Sequence, residues 1–322
     1  MDAAFLEPTL QDESTRFRIV TGKGGVGKSV TACAIALAEA QRGKRVLLAE
    51  TNGHDQLTTL LGAKPVGFEM REVLENLFVV DINPQDAIRE YAILMLRFES
   101  IYKAVFKNRF VHHFLRLIPS LGEMVTLGKL WFHEQERVAG KNRFDVIVLD
   151  APATGHAISM LRTPLAIEGV VPPGAMRENA KIIRELICDH KKTCVHIVTL
   201  PEEMPVNEAK ELYNVCTNEL GISCGAMFIN QSINQLAPQS LQTLEALAPG
   251  SPTLTKASTT LHQRELKRIA GEEHIATLPK ALQENSIRLP RLLVEKRLDK
   301  QHIGSLAELI GDCLFSPRSL KP

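Results

Sequence analysis

The sequence predicts an α/β fold in which a doubly wound, mostly parallel sheet is covered by helices on both faces. Short runs of apolar and β-branched residues alternate with longer helical patterns, and the short runs are apolar throughout instead of alternating with polar residues. Such continuous apolar strands are typical of a parallel sheet that is buried on both faces. The predicted strands are residues 16–20, 44–50, 76–82, 144–150, 193–200, 224–230 and 274–279.

Two of the connections are longer than a single crossover helix requires, and both have helical patterns. We therefore predict one domain over residues 1–322 that carries a helical subdomain made of two insertions, residues 84–140 and 163–192. No internal repeat and no low-complexity linker divides the chain.

The bulk composition excludes several classes of function. The chain has 38 basic and 37 acidic residues, so no overall field indicates a nucleic-acid partner. It has no run of about 18 apolar residues and no apolar stretch near its acidic start, which predicts a cytoplasmic protein without a membrane span. The six cysteines are dispersed, which argues against a zinc site and a disulfide framework.

A glycine-rich segment follows the first predicted strand and precedes an alanine-rich helix. Gly22, Gly27, Lys28 and Ser29 fit the spacing Gly-x4-Gly-Lys-Ser/Thr, which is typical of a P-loop NTPase. Glycines bring successive N–H groups onto phosphate oxygens, Lys28 reaches the β- and γ-phosphates, and Ser29 is a ligand for Mg²⁺. The predicted nucleotide-binding residues are Gly22, Gly24, Gly25, Val26, Gly27, Lys28, Ser29 and Val30.

The same segment contains a second lysine, Lys23, at its start. From spacing alone it is equally well a solvated surface lysine or a group that offers its charge to a nucleotide in a second subunit, as an arginine finger does.

An acidic residue ends the fourth predicted strand. Asp150 closes the apolar run "FDVIVLD" and is followed by Pro152, Thr154 and Gly155. A carboxylate in this place is suited to bind Mg²⁺ through water, and the following loop is suited to sense the γ-phosphate.

Two segments carry a resemblance to a known family. The run "KGGVGKS" resembles the deviant Walker A motif shared by ParA and MinD partition ATPases, nitrogenase iron protein, and the ArsA and tail-anchored-protein targeting ATPases. The run "DAPATGHAISML" is similar to the switch II segment of the ArsA and targeting branch in particular. The chain is therefore identified as a single-P-loop, bacterial-type member of that branch.

The resemblance implies a dimeric ATPase that uses ATP and Mg²⁺, either a homodimer or a heterodimer with a paralogous ATPase. It assigns Lys23 a role across the dimer, places Asn230 and Pro279 at the adenine, makes His156 a switch residue and puts Glu203 and Glu208 near the dimer face. The predicted catalytic residues are Lys23, Lys28, Asn52 and Asp150, and the predicted metal ligands are Ser29 and Asp150.

One position departs from the family pattern. Where the family commonly has an aspartate that orients the attacking water, this chain has Asn52, with Glu50 and Asp55 nearby. An amide can position water but cannot accept its proton. We expect either slow hydrolysis or a substitute role for one of the two carboxylates.

The first insertion carries large apolar residues at every fourth position, five of the six aromatic, which form an apolar stripe on a helix. Core packing explains this stripe, and so does a groove that receives an apolar client helix or a membrane-protein partner, as in the targeting ATPases. The stripe consists of Leu94, Phe98, Tyr102, Phe106, Phe110 and Phe114.

Two alternatives stay open. The first is a regulatory or assembly module that binds nucleotide, pairs with a paralogue and hydrolyses little ATP, which Asn52 favours. The second is a positioning ATPase of the ParA or MinD type, which the segment at Asp150 and the absence of a strongly basic composition disfavour.

Overall fold

The structure is a computed structural model that describes residues 15–51, 55–96, 120–292 and 297–315, without the side chains of residues 91–96 and 238. The strands, in chain order, are β1 (Phe17–Gly22), β2 (Val46–Thr51), β3 (Arg71–Leu74), β4 (Leu77–Ile82), β5 (Arg137–Val138), β6 (Lys141–Asn142), β7 (Val146–Ala153), β8 (Thr193–Thr199), β9 (Cys224–Ser232) and β10 (Ser286–Pro290).

The helices fill the connections between these strands. They are α1 (Lys28–Gln41), α2 (Gln56–Leu60), α3 (Pro84–Leu96), α4 (Leu121–Gln135), α5 (Thr154–Val170), α6 (Ala175–Cys188), α7 (Glu203–Asn214), α8 (Pro238–Leu247), α9 (Pro252–Ala276), α10 (Lys280–Glu284) and α11 (Lys300–Phe315), and a π-helical turn (Val215–Glu219) continues α7.

The eight-stranded sheet has the order β10-β9-β8-β1-β7-β2-β4-β3. All neighbouring strands in it are parallel except β3, which pairs antiparallel with β4. The described part of the chain therefore has the predicted doubly wound, mostly parallel α/β fold. In such sheets ligands bind at the carboxyl ends of the strands, and the glycine-rich segment leaves the carboxyl end of the central strand β1.

The core lies on both faces of the sheet because successive strand residues point to opposite sides. Ile19 belongs to one apolar cluster and Val20 to the other, and both are fully buried. On one face, alanine-rich α1 packs closely against α11, and on the other face α4, α5, α6 and α7 cover the sheet. Burial on both faces explains why the strands lack an alternating pattern.

The predicted strand at residues 274–279 is wrong. His274, Ile275 and Ala276 form the last turn of α9, so the first half of this short apolar run is helical. The last strand of the sheet is instead β10, which begins at Ser286 and pairs parallel with β9. A short apolar run does not by itself distinguish a buried helical turn from a strand.

Helices from both predicted insertions lie together. α3 and α4 come from the first insertion and pack against each other, and α4 also contacts α5 and α6. The predicted boundary at residue 163 falls inside α5, beside Pro164. None of the helices in the described ranges combines the length and the apolar composition needed to cross a membrane. All six cysteines lie in those ranges, and none of them forms a disulfide there.

A buried ion cluster ties α1 to the sheet. The Glu39 side chain is fully buried, and its carboxylate is 2.5 Å from Arg18, 3.2 Å from Lys44 and 3.3 Å from Arg42. The guanidinium groups of Arg18 and Arg42 also face the ring of Phe315, the last residue of α11. Glu39 therefore holds together groups from β1, α1 and α11.

We expect Glu39→Ala to lower the free energy of unfolding by about 3–5 kcal/mol, because it leaves the buried Arg18 charge without a partner. Urea denaturation followed by circular dichroism measures this change. Glu284→Ala, which removes an exposed ion pair with Lys280, is the control and should cost about 0.5 kcal/mol or less. Equal midpoints for the two variants would contradict this role of the cluster.

Candidate functional site

The glycine loop, residues 22–27, takes the chain from β1 into α1. Gly27 has a φ of 98°, and a Cβ at this position would overlap the side-chain nitrogen of Asn230. A Cβ on Gly22 would overlap the carbonyl oxygen of Val198 on β8. The loop keeps this path only with glycine at both positions. Gly24 and Gly25 are exposed at its tip, and Val26 is buried beneath it.

The Lys28 side chain folds back over the loop. Its Nζ donates to the backbone oxygen of Lys23 at 3.2 Å. Burial lowers the pKa of Lys28, and the nearby Asp150 carboxylate opposes that shift. The ammonium group thus lies at the mouth of the loop, close to Asp150. Val30 follows on the first turn of α1 and is half-buried against the apolar cluster of that face.

Ser29 and Asp150 meet at the base of the loop. The Ser29 hydroxyl donates to Oδ2 of Asp150 at 2.6 Å, whereas Oδ1 of Asp150 is buried and forms no hydrogen bond with a described residue. Burial raises the pKa of Asp150 to about 6, although Ser29 and Lys28 oppose the shift. A hydroxyl beside a carboxylate with an unused oxygen is a donor set that fits Mg²⁺.

Glu50 lies in the same row as Asp150 on the neighbouring strand. The two residues are register partners in the β2–β7 pair, and Glu50 pairs with Asp81 on the other side. Glu50 is 1% exposed, and neither carboxylate oxygen forms a hydrogen bond of normal geometry with a described residue. Burial, followed by Asp81, raises its pKa to about 7; the backbone N–H of Leu57 only partly offsets this.

The Asp55 carboxylate accepts hydrogen bonds from nearby backbone groups. Its Oδ1 accepts from the backbone N–H groups of Val66 at 2.7 Å and Gly67 at 3.1 Å, which fixes the loop after α2. Of the two carboxylates expected near Asn52, Glu50 is therefore the one without a hydrogen bond of normal geometry to a described residue. Asn52 itself lies outside the described residues.

Lys23 is paired within its own chain. Its Nζ forms an ion pair with Glu208 on α7, and both side chains are about one-third exposed. The two residues are 185 positions apart, and no local pattern in the sequence indicates their contact. Glu203 lies at the exposed start of the same helix.

Asn230 lies behind the glycine loop at the carboxyl end of β9. Its Nδ2 donates to the Val26 oxygen at 2.8 Å, and its Oδ1 accepts from the backbone N–H of Gln231 at 2.8 Å. This hydrogen bond joins β9 to the loop and was not expected from the sequence. Pro279 directly precedes α10, which packs against β9.

The segment after Asp150 runs beside the base of the loop. The Thr21 hydroxyl donates to the Pro152 oxygen at 2.8 Å, and the register of the β1–β7 pair shifts between Val20 and Gly22. Thr154 begins α5, and its buried hydroxyl has no hydrogen-bond partner among the described residues. His156 is exposed on the first turn of α5. In the described ranges, no three His, Cys, Asp or Glu side chains are grouped to bind a metal ion by themselves.

A separate apolar cavity lies between α3, α4 and α6. Its volume is about 370 Å³, and its lining includes Leu121, Met124, Trp131, Met176 and Ile183. Phe132, at its margin, is 54% exposed. Except for the backbone at Leu94, the predicted aromatic stripe lies outside the described residues.

Comparisons with known proteins agree with this arrangement. Residues 15–172 match the family described as anion-transporting ATPase, ArsA. ATPase BagA of Mycobacterium tuberculosis is 27% identical over 318 aligned residues, which cover 91% of both chains. The putative arsenical pump-driving ATPase 2 of Aquifex aeolicus is 26% identical, over 65% of this chain and 78% of its own. ATPase get3 of Schizosaccharomyces japonicus is 29% identical, over 51% of this chain and 48% of its own.

The matched region contains the glycine loop, Ser29, Glu50 and Asp150. The alignment with ATPase BagA extends the similarity across most of the chain. With its parallel sheet and glycine loop, the chain matches the ArsA family of ATPases over residues 15–172.

Proposed function

We propose that the chain is a Mg–ATP-driven dimeric switch whose nucleotide lies over the glycine loop. The contact of Ser29 with Asp150 at the base of the loop carries this proposal. Loop N–H groups and Lys28 bind the phosphates, and Ser29 and Asp150 hold Mg²⁺. When bound, Mg²⁺ neutralises charge that develops on the transferred phosphoryl group. Since no carboxyl and histidine cluster in the described ranges binds a metal alone, phosphate oxygens complete the set.

The protein groups then have distinct tasks. Lys28 orients the phosphates from the mouth of the loop, and Thr154, whose hydroxyl has no described partner, follows the strand end that carries Asp150. This segment, with His156, responds to the γ-phosphate. At the other end of the nucleotide, Asn230 and Pro279 contact the adenine. Asn230 keeps one amide hydrogen beyond the one that it donates to Val26.

A dimer would provide a second nucleotide site and a lysine that acts on the partner's nucleotide. The chain has a single Gly-x4-Gly-Lys-Ser segment, so two nucleotide sites require two chains. In the described chain Lys23 is paired with its own Glu208. Its action on a partner's phosphates therefore requires exchange of this ion pair for the stronger attraction of a nucleotide. The partner is a second copy or a paralogous ATPase.

The helical layer is the part of the protein that binds a client or partner in response to the nucleotide. We assign residues 84–140 and 163–192 to a subdomain that binds an apolar client helix or a membrane-protein partner. The cavity lined by Met124, Trp131 and Met176 supports this, because a mostly apolar recess suits the apolar face of a helix. α4 contacts α5, which begins four residues after Asp150, so the nucleotide site and this layer share a helix pair.

A second candidate function is an assembly module that turns over ATP slowly. The amide at Asn52, where a carboxylate orients water in the related family pattern, favours it. The two functions differ in rate and not in the nucleotide that they bind.

The test is the ATP turnover of the purified chain together with its mass in solution, with and without Mg–ATP. Steady turnover and an ATP-dependent doubling of mass are expected for the switch. Tight ATP binding with turnover near background would favour the assembly module. A mass that is the same in all nucleotide states would contradict the dimeric switch.

A further inference from the structure

We propose that Glu50 is a positioning residue of the Mg–ATP site, which binds the water shell of the metal ion held by Ser29 and Asp150. This inference rests on the proposed function, because it needs Mg²⁺ at that place. It adds a second acidic group, from a different strand, to the metal site.

The first argument is placement. β2 lies next to β7, and Glu50 is the register partner of Asp150. Partnered residues of adjacent strands point to the same face of a sheet, so the two carboxylates are neighbours at the carboxyl end of the sheet. Asp150 already contacts Ser29. A hydrated cation bound by Ser29 and Asp150 is thus within the surroundings of Glu50.

The second argument is that Glu50 lacks a partner that a structural carboxylate would have. Burying a carboxylate without hydrogen bonds or a counter-charge is costly. Glu39, another fully buried glutamate, lies near the amino end of the sheet and is surrounded by three cationic side chains. Glu50 is equally buried, its oxygens have no hydrogen bonds of normal geometry to described residues, and no cation contributes to its pKa.

The third argument is that the groups around Glu50 increase its need for a cation. Asp81, Asp150 and Asp55 all disfavour its charged form. A divalent cation reverses this effect, because it attracts several carboxylates at once. In the folded protein without a metal ion, several carboxylates therefore lie close together at the place where the ion would bind.

The other two acidic residues near Glu50 are less well placed to contact the hydrated metal ion. Asp55 is bound to two backbone N–H groups. Asp81 is on β4, one strand further from β7, and is half-buried. Glu50 alone among these three is fully buried and adjacent to Asp150. Outer ligands of this kind orient a metal ion and tune its affinity.

The experiment measures metal binding, with Mn²⁺ as the probe, by the electron paramagnetic resonance signal of free Mn²⁺ in the presence of ATP. Glu50→Gln, which keeps the size of the side chain, should weaken Mn²⁺ binding by about 10-fold or more, as the loss of an outer ligand does. ATP binding in excess EDTA should change little, because Glu50 does not contact the phosphates. Asp145→Asn is the matched control; this exposed aspartate lies just before the amino end of β7, and its variant should keep Mn²⁺ affinity within about twofold of wild type.

Glu50→Asp provides a second measurement, which also serves if the glutamine variant does not fold. The shorter carboxylate keeps the charge, so its Mn²⁺ affinity should lie between those of wild type and Glu50→Gln, or close to wild type. Wild-type affinity in a folded Glu50→Gln protein, or an equal loss in Asp145→Asn, would overturn the proposal for Glu50.

Asp150→Asn separates this proposal from the function on which it rests. If Asp150→Asn loses Mn²⁺ binding and Glu50→Gln does not, the metal site stands and the role of Glu50 fails. If neither variant changes Mn²⁺ binding, the proposed metal site itself is wrong.

Discussion

Asp150→Asn is expected to lower ATP turnover by at least about 100-fold, because the charge that a metal ion stabilises in phosphoryl transfer is worth several kcal/mol. The asparagine retains the shape of the side chain and an oxygen for Ser29, but it removes the negative charge opposite Mg²⁺. The pKa of Asp150, raised to about 6 by burial, means that a neutral side chain is well tolerated by the fold. We therefore expect an intact protein with lost activity, measured by phosphate release at saturating Mg–ATP.

Asp145→Asn is the matched control. Asp145 lies just before the amino end of β7, where its Oδ2 accepts from the backbone N–H of Arg45. It is exposed and far along the strand from Asp150. Its variant should keep turnover within about twofold of wild type, as surface changes usually do. Normal turnover in Asp150→Asn would show that Asp150 does not serve the metal ion.

Lys23→Ala is expected to abolish ATP-driven dimerisation and to lower turnover by about 1,000-fold. This factor is the lower end of the rate increase that a positive side chain from a second subunit gives to phosphoryl transfer. The Lys23 ion pair is partly exposed, so its removal should change stability little. Sedimentation velocity with and without Mg–ATP measures the dimer, and thermal unfolding without nucleotide checks the fold.

Glu208→Gln separates the lysine from its ion pair. This variant also breaks the Lys23–Glu208 pair but leaves the lysine charge in place. If Lys23 acts on the partner's nucleotide, Glu208→Gln should still dimerise with Mg–ATP. Normal ATP-dependent dimerisation in Lys23→Ala would exclude the role across the dimer, and equal loss in both variants would make the ion pair itself the important feature.

Features with a local cause could be predicted from the sequence. Six of the seven predicted strands lie within the observed sheet, because runs such as residues 144–150 are apolar on both faces and end at a chemically distinct residue. The glycine loop was recognisable because its spacing, its preceding strand and its following helix are all contiguous. The position of Asp150 at the carboxyl end of β7 follows from the same kind of pattern.

Features that depend on partners distant in sequence could not be predicted. The short run at residues 274–279 fits a strand or a helical turn equally well, and the extension of α9 decides between them. The short strand β3 was missed for a different reason: its partner β4 is close in sequence, but the four residues of β3 are exposed or half-buried and form no continuous apolar run.

The sequence by itself determined the parallel α/β fold, the glycine loop and the acid at the strand end, since each depends on spacing over a few residues. Only the tertiary structure decided between Glu50 and Asp55, which are five positions apart and equally acidic. Asp55 is bound by the backbone of its own loop, whereas Glu50 is buried beside Asp150 without a hydrogen bond of normal geometry to a described residue. The physical reason is that the energy of a charge depends on what surrounds it, and strand pairing, not sequence distance, determines those surroundings.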